Sequence, residues 1–162
     1  MTFFNINKSK IDIYTDGSCS GNPGPGGWSG IIVHENISII SGFEQTTTNN
    51  RMELLATINS IKVINKNIEL NLFTDSSYVK NGITVWIKNW INSGWRNSQK
   101  KEVANKDLWM LLLELDNTRK INWFWIKGHS NNNFNNLADK YAVLSMKNQT
   151  CYEIKNYDIT NT

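Results

Sequence analysis

Five runs of alternating apolar and polar residues punctuate the chain, and each stops at a turn-forming or acidic residue. IDIYTDGS alternates as far as Asp16 and predicts a first strand ending just before Gly17. GNPGPGG is a turn cluster, and WSGIIVHE and ISIISGFE after it predict two more strands in a meander with the first. IELNLFTD predicts a fourth strand ending at Asp75, and INWFWIKG a fifth. Elsewhere the period is helical. Asn49 or Asn50 can cap a helix running to about Asn65, with Leu54, Leu55, Ile58, Ile61 and Val63 as its apolar positions. Further helices are predicted from about Ser76, around Trp86 to Trp95, over LWMLLLEL, and from about Asn133 to Lys147.

The order βββαβαααβα implies an α/β chain of mixed α+β type: a five-stranded mixed sheet flanked by helices. The first and fourth strands should be neighbours, because Asp16 and Asp75 occupy the same place at the ends of two strands. No repeat or linker divides the chain, so residues 1–150 read as a single domain. The polar tail, residues 151–162, shows no periodicity and is expected to be disordered.

Bulk properties narrow the class. At 162 residues, 40% hydrophobic and 19% charged, the chain can bury a substantial core. Seventeen basic against 14 acidic residues leave a net charge of +3, permissive for a nucleic-acid partner. Cys19 and Cys151 offer neither a disulfide framework nor metal-ligand spacing, which fits a reducing compartment. MTFFNINKSK is too short and polar for a secretion signal, and no apolar run is long enough to cross a bilayer. A cytoplasmic protein without membrane contact is expected.

The candidate chemistry lies in four separate acids, Asp16, Glu53, Asp75 and Asp139. Each has an ordinary alternative use. Asp16 could start an Asp-Gly turn, and Glu53 could complete a capping box with Asn50. Asp75 could cap the helix that follows it, and Asp139 could be an exposed helical acid. If folding brings them together, they repel one another unless a cation sits among them. Carboxylate oxygens suit Mg²⁺, which also takes water and phosphate oxygens, so the pattern points to metal-assisted chemistry on a phosphodiester.

Taken in order, TDGSCSGNPGPGGW, TTTNNRMELLA, TDSSYVKNGITVWI, the GW and DLW segments, WFWIKGH and the helix bearing Asp139 resemble a bacterial type 1 ribonuclease H, over roughly residues 9 to 147. The resemblance implies a five-stranded mixed sheet with helices. It also implies a monomeric endonuclease that cleaves the RNA strand of an RNA/DNA hybrid with two Mg²⁺ ions, Mn²⁺ being able to substitute. The products would be a 5′-phosphate and a 3′-hydroxyl. Two metals roughly 4 Å apart can hold the attacking water and the leaving oxygen on opposite sides of one phosphate. Asp16 would bridge both ions, Asp139 would complete the water-activating site, and Glu53 and Asp75 would hold the other ion. His129, on the loop after the fifth strand, would relay a proton or assist product release.

The same resemblance assigns substrate contacts. Cys19, Asn22, Asn49 and Asn50 match positions lining the minor groove, where the 2′-hydroxyl distinguishes RNA from DNA. Thr48 and Asn105 match a pocket for one DNA phosphate, and Tyr78 and Trp86 match contacts to DNA sugars. Trp109, Trp123 and Trp125 are expected in the core or half-buried in the sheet. Trp86, Trp90 and Trp95 are expected on an exposed protrusion with Lys88, Arg96, Lys100 and Lys101. The chain departs from the family pattern at Thr46, where many relatives place arginine, at Asn136, often glutamate, and at Ile91, Asn92 and Ser93, typically a basic run. Two other readings compete: an integrase- or resolvase-like DNA nuclease of the same fold, and a hybrid-binding module without activity.

Overall fold

The alternating run at the start of the chain forms β1 (Lys10–Cys19), and β2 (Gly24–Val33) and β3 (Ile37–Thr47) continue it as an antiparallel meander. The chain then crosses through α1 (Asn49–Lys62) to β4 (Glu69–Thr74). α2 (Ser77–Asn81), a π-helical turn (Gly82–Trp86) and α3 (Ile87–Asn92) follow almost without interruption. α4 (Lys106–Thr118) leads to β5 (Ile121–Trp125), and α5 (Asn133–Asn148) leads to a short β6 (Tyr152–Ile154). The computed structural model describes residues 4–128 and 131–161.

The sheet order is β5-β4-β1-β2-β3-β6, with β1–β4 and β4–β5 parallel and the other pairs antiparallel. The expected neighbours, β1 and β4, are therefore paired, with Thr15 opposite Thr74. Asp16 and Asp75 each come next in the chain, so their side chains start from adjacent positions.

Six strands form where five were expected. The tail expected to be disordered supplies the sixth: β6 pairs Tyr152, Glu153 and Ile154 with Ser41, Ile40 and Ile39 of β3. A three-residue strand has too little sequence to show a period, and its stability comes from the partner edge. Strand ends also shift. β1 continues through Asp16 to Cys19 because β2 remains paired with it there. β4 stops at Thr74, one residue short of Asp75.

Apolar residues pack on both faces of the sheet. One side buries Ile11, Ile13, Leu70 and Leu72 against α1 and α4, including Leu54, Ile58 and the fully buried Trp109. The other buries Tyr14, Ile31 and Ile39 under α5, through Leu137, Ala138 and Tyr141. α5 lies very close to β2. The Ser29 hydroxyl donates to the Ala138 carbonyl, and a Cβ at Gly27 would collide with the Ala142 carbonyl.

α1 starts one or two residues earlier than expected. Its cap is Thr48, whose hydroxyl accepts from the Arg51 amide at 3.2 Å, and not Asn49 or Asn50. This frees Glu53 from the capping box. The far end of α1 is held from outside: the Arg119 guanidinium donates to the carbonyls of Ile61 at 2.7 Å, Ile64 at 2.8 Å and Asn65 at 2.5 Å. A cation on the terminal carbonyls also opposes the negative end of the helix dipole. No helix among the described residues is long and apolar enough to cross a membrane.

Candidate active site

The carboxyl ends of β1 and β4 and the second turn of α1 converge. Asp16, Glu53 and Asp75 each place one carboxylate oxygen within 4.8 Å of the others. The local chain explains each position. Asp16 and Asp75 follow the paired threonines Thr15 and Thr74. Asp75 does not cap α2, because Ser76 does so with its own hydroxyl, accepting from the Val79 amide at 3.1 Å. Ser76 is in turn fixed by its amide, which donates to Thr74 Oγ1 at 3.0 Å.

Glu53 is turned inward. The Gly17 amide donates to its carboxylate and also to Asp16 Oδ1. Glycine is required at 17 because a Cβ there would lie 2.7 Å from the Met52 carbonyl carbon and 2.9 Å from Glu53 Oε1. Both acids are almost wholly buried, Asp16 at 7% and Glu53 at 4% exposure. Burial raises both above the ordinary carboxylate range; the Glu53 carboxylate pushes Asp16 up further, while the hydrogen bond with Asp16 draws Glu53 part of the way back. Asp75 adds to the repulsion on both, and Asp139 adds to it on Asp16.

Asp139 stands apart. It is exposed on α5 and borders the same cleft of about 450 Å³, but it is not one of the three mutually close acids. Cys19, Asn49, Asn50 and Tyr78 also line this cleft. Cys19 faces carbonyls, its sulfur lying 3.4 Å from the Thr47 oxygen and 3.6 Å from the Gly24 oxygen. Asn22 does not line the cleft and is exposed in the β1–β2 turn. His129 lies outside the described residues.

A second set of assigned residues forms a cluster beside the cleft. Tyr78 Oη accepts from Asn105 Nδ2 at 3.2 Å and from Trp109 Nε1 at 3.0 Å, and its ring meets Trp86 edge-on at 5.9 Å. Thr48 and Asn105 immediately precede α1 and α4. Arg51 brings those two helix starts together by pairing with Asp107 at 3.2 Å, while its Nε approaches Glu44 at 3.5 Å.

The tryptophans were only partly legible. Trp109 is buried as expected and Trp123 is half-buried, but Trp125 is 47% exposed because it ends an edge strand. Trp86, Trp90 and Trp95, expected to be exposed, are half-buried, and Trp90 and Trp95 pack on the main core. The exposed residues of that segment include Ile91–Gly94 and the four basic residues expected there, Lys88, Arg96, Lys100 and Lys101.

The cleft also takes in residues that the sequence pattern does not mark, Asn135 among them. Asn135 lines it at 3% exposure, and its Oδ1 has no hydrogen-bond partner among the described residues. The signal was its position four residues before Asp139 on α5, which puts both on one helix face. The carboxylates of Asp16, Glu53 and Asp75, gathered in one cleft, are the donor set of a hard cation. No lysine or arginine lines the cleft among the described residues, so none of them supplies a counter-charge there.

The sequence model of the RNase H family matches residues 8–147. The chain is 49% identical over 140 residues to a ribonuclease H of Acetivibrio thermocellus, covering 85% of this chain and 95% of that one. It is 48% identical over 143 residues to one of Caldanaerobacter subterraneus subsp. tengcongensis, covering 87% and 94%. Among solved structures, LC9-RNase H1, a type 1 RNase H with the type 2 active-site motif, superposes with a TM-score of 0.79 at 26% identity, covering 91% of this chain and 76% of that one. LC11-RNase H1, solved with an RNA/DNA hybrid, shares the fold at a TM-score of 0.63 and 22% identity, covering 86% and 98%.

Proposed function

The chain belongs to the ribonuclease H family, and from that membership we propose that it cuts the RNA strand of RNA/DNA hybrids internally, leaving 5′-phosphate and 3′-hydroxyl ends. The observation that carries this reading is the meeting of Asp16, Glu53 and Asp75 in a cleft lined by polar groups and, among the described residues, without a cationic side chain. Two Mg²⁺ ions, or Mn²⁺ in their place, would supply positive charge to the phosphate and lower the proton affinity of water. Asp16 would be the ligand shared between the sites. Glu53 and Asp75 would serve one of them, and the exposed Asp139 would complete the other.

The remaining residues bind and orient. Cys19, Asn49 and Asn50 place small polar groups beside the acids, suited to a strand that displays 2′-hydroxyls, and Asn22 would extend the contact along that strand. Thr48 and Asn105, at two helix starts, would hold a DNA phosphate through main-chain amides and the positive ends of the helix dipoles. Tyr78 and Trp86 would offer ring faces to the DNA sugars. His129 would tune turnover without deciding whether cleavage occurs. We place the enzyme in the cytoplasm, acting as a monomer.

A DNA nuclease of the same fold is the competing enzymatic reading. The small polar groups lining the acidic cleft favour a ribose-bearing strand over it, and the full set of four acids speaks against a module that only binds. The test is a labelled RNA/DNA hybrid incubated with Mg²⁺, beside duplex DNA, duplex RNA and each single strand. Cleavage confined to the RNA of the hybrid supports the reading. Comparable cutting of duplex DNA, or binding to the hybrid without cleavage, overturns it.

A further inference from the structure

Trp125 is an unusual place for a tryptophan. It ends β5, an edge strand, with 47% of its surface exposed, so burial alone does not account for it. Its indole nitrogen is engaged: Nε1 donates to the main-chain carbonyl of Asp75 at 3.1 Å. The next residue makes the neighbouring contact, the Ile126 amide donating to the Thr74 carbonyl at 2.9 Å. Two consecutive residues at the end of β5 therefore hold two consecutive carbonyls at the end of β4. The backbone donor is available to any residue paired here. The indole donor is specific to tryptophan.

These contacts fix the turn that aims the Asp75 carboxylate. Within the turn, the Ser76 amide donates to Thr74 Oγ1 and Ser76 caps α2, which secures the residues on either side of Asp75. On the far side, Gly128 comes so close that a Cβ there would lie 3.0 Å from Asp75 Oδ2. The Asp75 peptide is thus gripped at its carbonyl by an indole from a different strand. Without the indole, that peptide plane would be held only through its Ser76 amide, on Thr74 Oγ1, and its wider swing would pass through the Asp75 Cα to the carboxylate.

We propose that Trp125 is a positioning residue, whose indole N–H sets the direction of the Asp75 carboxylate and so the affinity of the site for a divalent cation. This rests on the reading of Asp75 as a metal ligand. The indole need touch neither metal nor nucleic acid. Groups that orient metal ligands from behind are worth roughly 10- to 100-fold in metal affinity, and a contact through the main chain should fall near the lower figure.

The experiment compares wild type, Trp125→Phe, and the chain carrying 3-benzothienylalanine at 125, which keeps the bicyclic shape and replaces N–H by sulfur. Mg²⁺ and Mn²⁺ binding is measured by calorimetry on the free protein, thermal midpoints are recorded, and kcat and KM for a hybrid are followed across metal concentration. Both replacements should weaken cation binding by about tenfold, the low end of that range, with the thermal midpoint nearly unchanged. Their kcat should fall at limiting Mg²⁺ and recover at high Mg²⁺, with KM for the hybrid unmoved. On Asp75→Asn, Trp125→Phe should have no further effect on binding. Unchanged cation affinity in both replacements overturns the proposal alone. So does a deficit seen in Phe but absent with benzothienylalanine, or one appearing as a raised KM. Failure of the wild-type chain to bind either cation overturns the metal-site reading itself.

Discussion

The amide of Gly17 points at the carboxylate of Glu53, and the glycine's missing side chain is what allows α1 to approach β1 that closely. Gly17→Ala would insert a methyl group against backbone and not against a flexible side chain. Overpacking of that kind costs about 1–3 kcal/mol. The larger effect should fall on activity, since displacing a reacting group by an ångström can cost on the order of 100-fold in rate. Thermal unfolding and hybrid cleavage on the same sample separate the two losses; full activity in the folded variant would show that Glu53 tolerates displacement.

Asp16→Asn should abolish cleavage while leaving hybrid binding intact, because the groove-lining groups are untouched. A gel shift in Ca²⁺ beside a cleavage assay in Mg²⁺ measures both. The same variant should be more stable than wild type without metal, since it removes a carboxyl that burial above all makes costly to ionise. A metal-free melting point below that of wild type would contradict that cost.

The raised carboxyls of Asp16 and Glu53 also fix a sign for pH dependence. An acid with a raised folded-state pKa binds protons more tightly folded than unfolded. Its stabilising contribution is complete below the unfolded value of about 4 and is lost as pH climbs through the folded one. Metal-free protein should therefore lose stability as pH rises from mildly acid through neutral to alkaline, and excess Mg²⁺ should offset that loss. Cation uptake should release protons, detectable by calorimetry in buffers of different ionisation enthalpy. Melting points that rise steadily with pH in chelator would contradict the assignment.

The exposed segment Ile91–Ser93 provides a test of the substrate path. Ser93 is committed, its hydroxyl donating to the carbonyls of Trp90 and Arg96, so Ile91 and Asn92 are the positions to change. Each lysine that neutralises a phosphate adds about 0.9 to the slope of log affinity against log salt on B-form DNA. Ile91→Lys with Asn92→Lys should thus tighten hybrid binding at low salt, steepen its salt dependence and lower KM with kcat little changed. An unchanged slope would place the segment away from the nucleic acid.

Much of this was legible in the sequence. Alternation located the five main strands, and the matching places of Asp16 and Asp75 foretold that β1 and β4 are neighbours. The cap of α1 was misplaced because TTTNN offers several residues able to cap, and only the hydrogen bond selects Thr48. The tryptophans were partly misassigned because periodicity shows that a residue is apolar, not which strand lies at the sheet's edge; Trp125 is exposed for that reason. Asn135 was hidden in a run of asparagines, and its unpartnered oxygen becomes visible only when α5 is laid across β2.

β6 has a consequence beyond the site. β3 is eleven residues long and rich in isoleucine, and left bare it would present a row of unpaired amides and carbonyls to any other extended chain. Three residues from the tail occupy part of that row, at Ile39 to Ser41. The outermost strand on that side of the sheet is then a short one, carrying Glu153 and followed by Lys155, and offers little for a foreign strand to pair with. A chain lacking Tyr152–Ile154 should keep Asp16, Glu53 and Asp75 in place and still accumulate as insoluble aggregate in the cell. The strand that guards the β3 edge and the strands that carry Asp16 and Asp75 thus lie in different parts of one sheet.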